Sequence, residues 1–116
     1  MASIEVPKEL LDKVYEAIET AKTTGKIKKG TNETTKTIEK GKAKMVVIAK
    51  DVTPPEITMH IPLIAEEKNV PCFTVPSKEE LGAAAGLTVP AVSVAILQEG
   101  EGKAAVKEIA DELKAK

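Results

Sequence analysis

Met45-Val46-Val47-Ile48-Ala49 is an unbroken apolar run, β-branched at its centre and held between Lys44 and Lys50. It has no polar side chain to turn toward water, so it reads as a strand buried on both faces. Such a strand needs a sheet covered above and below, which points to an α/β domain. The rest of the chain supplies the cover. From Pro7 to about Thr23, Leu10, Leu11, Val14, Tyr15, Ala17, Ile18 and Ala21 recur at helical spacing, with Pro7 suited to a first turn and Gly25 closing the segment. Ile27 and its neighbours predict a short strand running into Gly30, and a helix from Thr31 through Ile38 stops at Gly41. Pro54-Pro55 leads into a helix carrying Ile57, Ile61, Leu63, Ile64 and Ala65, which Pro62 is expected to kink or split. Val70 to Val75 predicts the next strand. Ser77 and Glu80 form a capping-box pattern before a short helix that ends in the small residues Gly82 to Gly86. Ala91 to Leu97 predicts a further strand and Gly102 to Lys114 a final amphipathic helix. The alternation predicts one α/β domain over residues 1–116, with helices on both faces of its sheet.

Composition narrows the function. Of the 116 residues, 42% are apolar and 30% charged, a mix typical of a soluble globular protein. No apolar stretch approaches the ~18 residues of a membrane span. The N-terminal Met-Ala-Ser-Ile-Glu-Val-Pro lacks a basic region followed by an apolar one. With one cysteine besides, a cytoplasmic protein without an internal disulfide is expected. Enzyme chemistry has little to work with. His60 lies in a helical apolar stretch, where packing or surface exposure is its ordinary role. Cys72 sits beside Phe73 in a strand and reads as a small buried hydrophobe. Those two cannot assemble a zinc site, and Gly82-Ala-Ala-Ala-Gly86 matches no phosphate-binding loop. No catalytic activity, metal or cofactor is expected.

Charge is unevenly placed. From Lys22 to Lys50 there are nine lysines against Glu33 and Glu39, or +7, while the whole chain carries −1; the remaining residues therefore carry −8. A chain this polarised suggests a polyanionic partner at one end, the plain alternative being a solvated lysine-rich surface. All 17 basic residues are lysine, which supplies point charges but lacks the planar arginine fork. Tyr15 and Phe73 are the only aromatics, too few for a base-stacking platform. An RNA ligand would be recognised by folded shape and a few base edges.

Within that basic segment, Gly30-Thr31-Asn32-Glu33-Thr34-Thr35-Lys36 reads as the start of a helix. Thr31 or Asn32 is expected to cap it, and Glu33 falls in the first turn, where the dipole favours an anion. Asn32, Glu33 and Lys36 can then project from one end and face, placing an amide, a carboxylate and an ammonium together as a set able to read base edges. Most capped helix starts bind nothing; the lysines around this one set it apart. Two other functions fit the same residues. One is a nucleotide-binding α/β domain with Gly30-Thr31-Asn32 as a phosphate cradle, and the other a protein–protein scaffold with a polarised surface.

The run K-K-G-T-N-E-T-T-K-T-I-E-K-G, followed by M-V-V-I-A-K-D-V-T-P-P-E-I, H-I-P-L-I-A-E-E-K-N-V-P, S-K-E-E-L-G-A-A-A-G and L-T-V-P-A-V-S-V-A-I, resembles the archaeal ribosomal protein L7Ae family over nearly the whole chain. The resemblance implies a three-layer α/β/α sandwich around a mixed four-stranded sheet. It also implies a kink-turn RNA-binding protein, monomeric when free. Such a protein serves the large ribosomal subunit, box C/D and H/ACA guide ribonucleoproteins and ribonuclease P. Its partners would be structured RNA (ribosomal, guide or ribonuclease P RNA) and other ribonucleoprotein subunits, with no membrane. On this basis Asn32, Glu33 and Lys36 address purine edges. Lys26, Lys28, Lys29, Lys40 and Lys78 hold phosphates, with backbone donors at Gly30 and Thr31. The loop Leu87-Thr88-Val89-Pro90 packs against the bulged nucleotides. Lys50 and Thr53 depart from the residues many relatives carry there; Lys50 would add phosphate affinity, Thr53 removes an acceptor, and Ile57 would pack near the site.

Overall fold

The computed structural model describes residues 4–51 and 56–114. In chain order these form β1 (Ile4–Glu5), α1 (Lys8–Thr24), β2 (Lys26–Lys29), α2 (Thr31–Glu39), β3 (Met45–Ala49), α3 (Glu56–Glu67), β4 (Cys72–Val75), α4 (Lys78–Ala84), β5 (Ser93–Gln98) and α5 (Lys103–Lys114), the last preceded by a 3₁₀ turn at Gly100–Gly102.

All five residues of β3 are buried, because the strand lies at the centre of the sheet and is covered on both faces. It pairs in parallel with β4 and antiparallel with β5, and β5 pairs antiparallel with β2, so β4-β3-β5-β2 is a mixed four-stranded sheet. The two-residue β1 adds in parallel to the outer edge of β4, which the sequence pattern does not reveal. Side chains alternate across β3. Met45, Val47 and Ala49 join Phe73, Val75, Val94 and Ile96 under α1, α4 and α5, among Val14, Ile18, Leu81 and Ile109. Val46 and Ile48 face the other way, joining Cys72 and Ala95 against Ile38 of α2 and Ile61 and Ala65 of α3. Each fully buried aliphatic side chain contributes about 1.5–3 kcal/mol relative to exposure. Cys72 belongs to the second cluster, where burial pushes its thiol up to about 12 and keeps it neutral.

Three local expectations change. α2 starts at Thr31 as expected, but its cap lies one residue before the expected Thr31 or Asn32: the Gly30 carbonyl accepts the Thr34 N–H at 3.0 Å, and the N-cap is Gly30, with no side-chain capping bond. Thr31 and Asn32 are therefore first-turn residues, because only glycine holds the Gly30 backbone (φ 94°, ψ 155°) at ease. Pro62 lies inside α3 without dividing it. It forfeits one backbone bond, while Ile61, Pro62 and Ala65 are all buried and hold the helix on the sheet. The last strand starts at Ser93, leaving Ala91 and Val92 to the loop. The cap at Ser77 is as expected, with its Oγ accepting the Glu80 N–H at 3.2 Å.

Candidate nucleic-acid interface

Sheet topology gathers several separated segments at one end. β3 and β4 run the same way, so Lys50, after β3, and Lys78, just past β4, share that end. β5 runs oppositely, so its start at Ser93 and the preceding loop lie there too. β2 is antiparallel to β5, with Lys29 opposite Val94, and delivers Gly30 and the start of α2 to the same end.

The tip of α2 is fixed by its neighbours. Gly30 N–H donates to the Ser93 carbonyl at 3.0 Å, and the Ser93 hydroxyl donates to Thr34 Oγ1 at 3.2 Å in the buried interior. Thr37 Oγ1 donates back to the Glu33 carbonyl at 2.8 Å. With Thr34, Thr37 and Ile38 turned inward, Asn32, Glu33 and Lys36 are left exposed on the outer face. Gly30 as N-cap supplies no side-chain capping bond, and the N–H groups of a helix's first turn are donors of the kind that suit an anion.

The loop at Leu87–Pro90 is built onto α4. Leu87 N–H donates to the Gly82 carbonyl at 2.9 Å, and Ala91 N–H to the Lys78 carbonyl at 3.0 Å. Gly82 is required by contact: a Cβ there would stand 2.3 Å from the Val89 carbonyl oxygen. Thr88, Val89 and Pro90 are exposed, Val89 by 60%, an unusual position for a valine. Together with Leu87, Glu79 and Ala83 they line a recess of about 310 Å3. The Lys22 side chain of α1 crosses Gly86 beside this loop. Half-buried Lys78 is pinned at its backbone, its N–H donating to Asp51 Oδ1 at 2.8 Å.

A second depression, about 260 Å3, runs between β2 and α2. Lys26 and Lys28 form one wall, Glu33, Lys36 and Lys40 the other, with Thr37, Lys42 and Leu97 completing it. Strand alternation explains the choice on β2: Ile27 packs into the core under α1, so Lys26 and Lys28 point to the α2 side. Lys29 has the opposite parity and does not line the groove. Of the residues singled out in the sequence, the structure thus places Lys26, Lys28, Glu33, Lys36 and Lys40 in one groove and Gly30, Thr31 and Asn32 at the helix tip near one of its ends. Leu87 to Pro90 form a separate surface at the same end of the sheet. Lys42, Thr37 and Leu97 were missed. Lys42 lies beyond the Gly41 turn, and the part of Leu97 depends on strand register, so neither leaves a local signal. Exposed Lys50 closes β3, its N–H donating to the Val75 carbonyl at 2.8 Å. Thr53 and the side chain of Ile57 lie outside the described residues.

Elsewhere, His60 is exposed on α3. Among the described residues no group of His, Cys, Asp and Glu is arranged to hold a metal ion, and no helix is long and apolar enough to cross a membrane. The Tyr15 hydroxyl is buried without a partner in hydrogen-bond geometry. That burial, followed by the Glu80 and Asp51 carboxylates, raises its pKa to about 12.

Comparison with known proteins agrees with this architecture. The solved structure of a Giardia lamblia 15.5kD RNA binding protein superimposes with a TM-score of 0.89 at 34% sequence identity, covering 95% of this chain and 92% of that one. Residues 12–106 match the model of the ribosomal protein L7Ae/L30e/S12e/Gadd45 family. With the match spanning most of the sequence, from within α1 into α5, the chain belongs to that family.

Proposed function

We propose that this protein binds folded RNA and recognises the kink-turn, a sharp bend with tandem sheared G·A pairs beside a short bulge. The observation that carries this reading is the convergence at one sheet end of an amide–carboxylate tip, an exposed apolar loop and a set of lysines. Family membership and the likeness to an RNA binding protein support it. In a regular A-form helix the major groove is too deep and narrow for side chains to read. A sharp bend with non-Watson–Crick pairs opens it locally. Lys36 then donates to guanine O6 and N7, while Glu33 accepts an amino or imino proton. Near phosphates an unbonded carboxylate is costly, so Glu33 discriminates against RNA that offers no such donor. Lys28 and its neighbours hold phosphates and set register without reading sequence. Leu87, Thr88 and Val89 pack against the bulged nucleotides, and Lys50 and Lys78 flank them. The protein acts as a non-catalytic subunit. Kink-turns of ribosomal, guide or ribonuclease P RNA are the ligands this surface would serve, in a cytoplasmic setting and as a monomer before assembly.

The test is a titration of a kink-turn RNA against the same RNA with its G·A pairs replaced by Watson–Crick pairs. Strong preference for the first is expected. Equal affinity would remove the kink-turn reading, and binding of neither would remove RNA recognition itself.

A further inference from the structure

Asp51 follows Lys50 at the exit of β3, on the end of the sheet that carries the tip of α2 and the loop at Leu87–Pro90. Its side chain is an exposed carboxylate. On a surface that meets phosphates such a charge opposes binding, so its place there calls for a compensating contact. That contact is a backbone one: Asp51 Oδ1 accepts the Lys78 N–H at 2.8 Å. Lys78 is the first residue of α4, where the helix leaves its N–H without an internal partner and its dipole favours an anion.

The Lys78 peptide carries the tie onward. Its carbonyl accepts the Ala91 N–H at 3.0 Å, while Leu87 N–H donates to the Gly82 carbonyl at 2.9 Å. Both ends of the loop are thus bonded to α4, and α4 is bonded to the exit of β3. A second side-chain tie at the start of α4, from Ser77 Oγ to the Glu80 N–H, stays within the first turn of that helix. The Asp51 bond instead crosses to a segment 27 residues away. It therefore bears on where α4 and its loop sit, and the Ser77 bond on how the helix begins.

Building on the kink-turn reading, we propose that Asp51 is a positioning residue for recognition of the bulge. Through the Lys78 peptide its carboxylate holds the Leu87–Pro90 loop at the height where Leu87, Thr88 and Val89 meet the bulged bases. Asp51 acts on the loop and takes no RNA contact of its own.

The readout is the ratio of affinities for a kink-turn RNA and for the same RNA with abasic residues in its bulge. That ratio isolates base packing on the loop, and general charge effects cancel in it. Asp51→Ala should lower it by about three- to tenfold, the worth of a hydrogen bond to a charged group that is partly open to solvent. Asp51→Asn keeps an oxygen acceptor in place and should hold the ratio within about twofold of wild type. It should also tighten both RNAs alike, because a negative charge is gone. Lys78→Pro removes the donor instead. Proline suits the first position of a helix, and Ser77 before it is already extended at φ −127°, ψ 119°. This variant should lower the ratio as much as Asp51→Ala, and the two combined no further. Ser77→Ala should lower the unfolding temperature without moving the ratio, and thermal unfolding checks that every variant folds.

An unchanged ratio in Asp51→Ala overturns the assignment. So does a loss in Asp51→Asn or in Ser77→Ala equal to that in Asp51→Ala. If wild type prefers the kink-turn to its Watson–Crick counterpart yet binds intact and abasic bulges alike, the positioning role falls alone. If wild type shows no such preference, the kink-turn reading falls and takes the positioning role with it.

Discussion

The Ser93 hydroxyl donates to Thr34 Oγ1 across 3.2 Å of buried interior, joining residues 59 apart in sequence. The same Ser93 accepts the Gly30 N–H through its carbonyl. One residue at the start of β5 therefore anchors the tip of α2 from two sides, and the loop carrying Val89 ends immediately before it. The tip of α2 and the loop at Leu87–Pro90 are set relative to each other through this contact.

Ser93→Ala leaves the Thr34 hydroxyl buried without its donor, at a cost of about 1–3 kcal/mol in urea unfolding. Thr34→Val alone should cost a similar amount. Combined, the two should cost less than their sum by at least about 0.5 kcal/mol, because paired removal leaves no orphaned group. Strict additivity would mean that the hydroxyls do not interact.

The two glycines of the site should fail in different ways. Gly82→Ala forces a Cβ to within 2.3 Å of the Val89 carbonyl, so the loop has to move. We expect a loss of about 1–3 kcal/mol in stability, with weakened kink-turn binding and unchanged affinity for a plain duplex. A Cβ at Gly30 meets nothing within 4 Å, but φ is +94°. Gly30→Ala should then cost about 1–3 kcal/mol from backbone strain. Unfolding curves and RNA titrations on both variants check the contrast.

Tyr15 makes alkaline stability informative. Its folded pKa of about 12 lies above the ordinary value of 10.0, so the folded state holds the proton more tightly. That contribution is complete below pH 10 and is lost as pH rises from 10 toward 12. Cys72 ionises in the same region, so the relevant quantity is the difference between wild type and Tyr15→Phe. The phenylalanine variant, freed of an unpartnered hydroxyl, should match or exceed wild-type stability at neutral pH and lose less between pH 10 and 12. Parallel curves through that window would contradict the assignment.

Much of the fold was legible in the sequence because its signals are local. Met45–Ala49 has no polar residue to expose, helical periodicity marks α1, and Ser77 with Glu80 marks the start of α4. The tip of α2 was legible as a cluster, since Asn32, Glu33 and Lys36 share one short element. Elements that rest on tertiary contacts were not. Gly30 displaces Thr31 and Asn32 as cap because its backbone bonds to Ser93. The two residues of β1 acquire meaning only beside β4. Buried neighbours carry α3 through Pro62. Lys42 joins Lys26 in one groove through sheet register and the Gly41 turn, neither of which leaves a pattern in the chain.

The most direct measurement is the affinity of Asn32→Ala and Glu33→Ala for a kink-turn RNA and for a plain duplex of the same length. A loss of about 1–3 kcal/mol or more on the kink-turn, with almost none on the duplex, is the result predicted for side chains that read base edges. Equal losses on both RNAs would show that the tip of α2 contributes charge and shape but reads no bases.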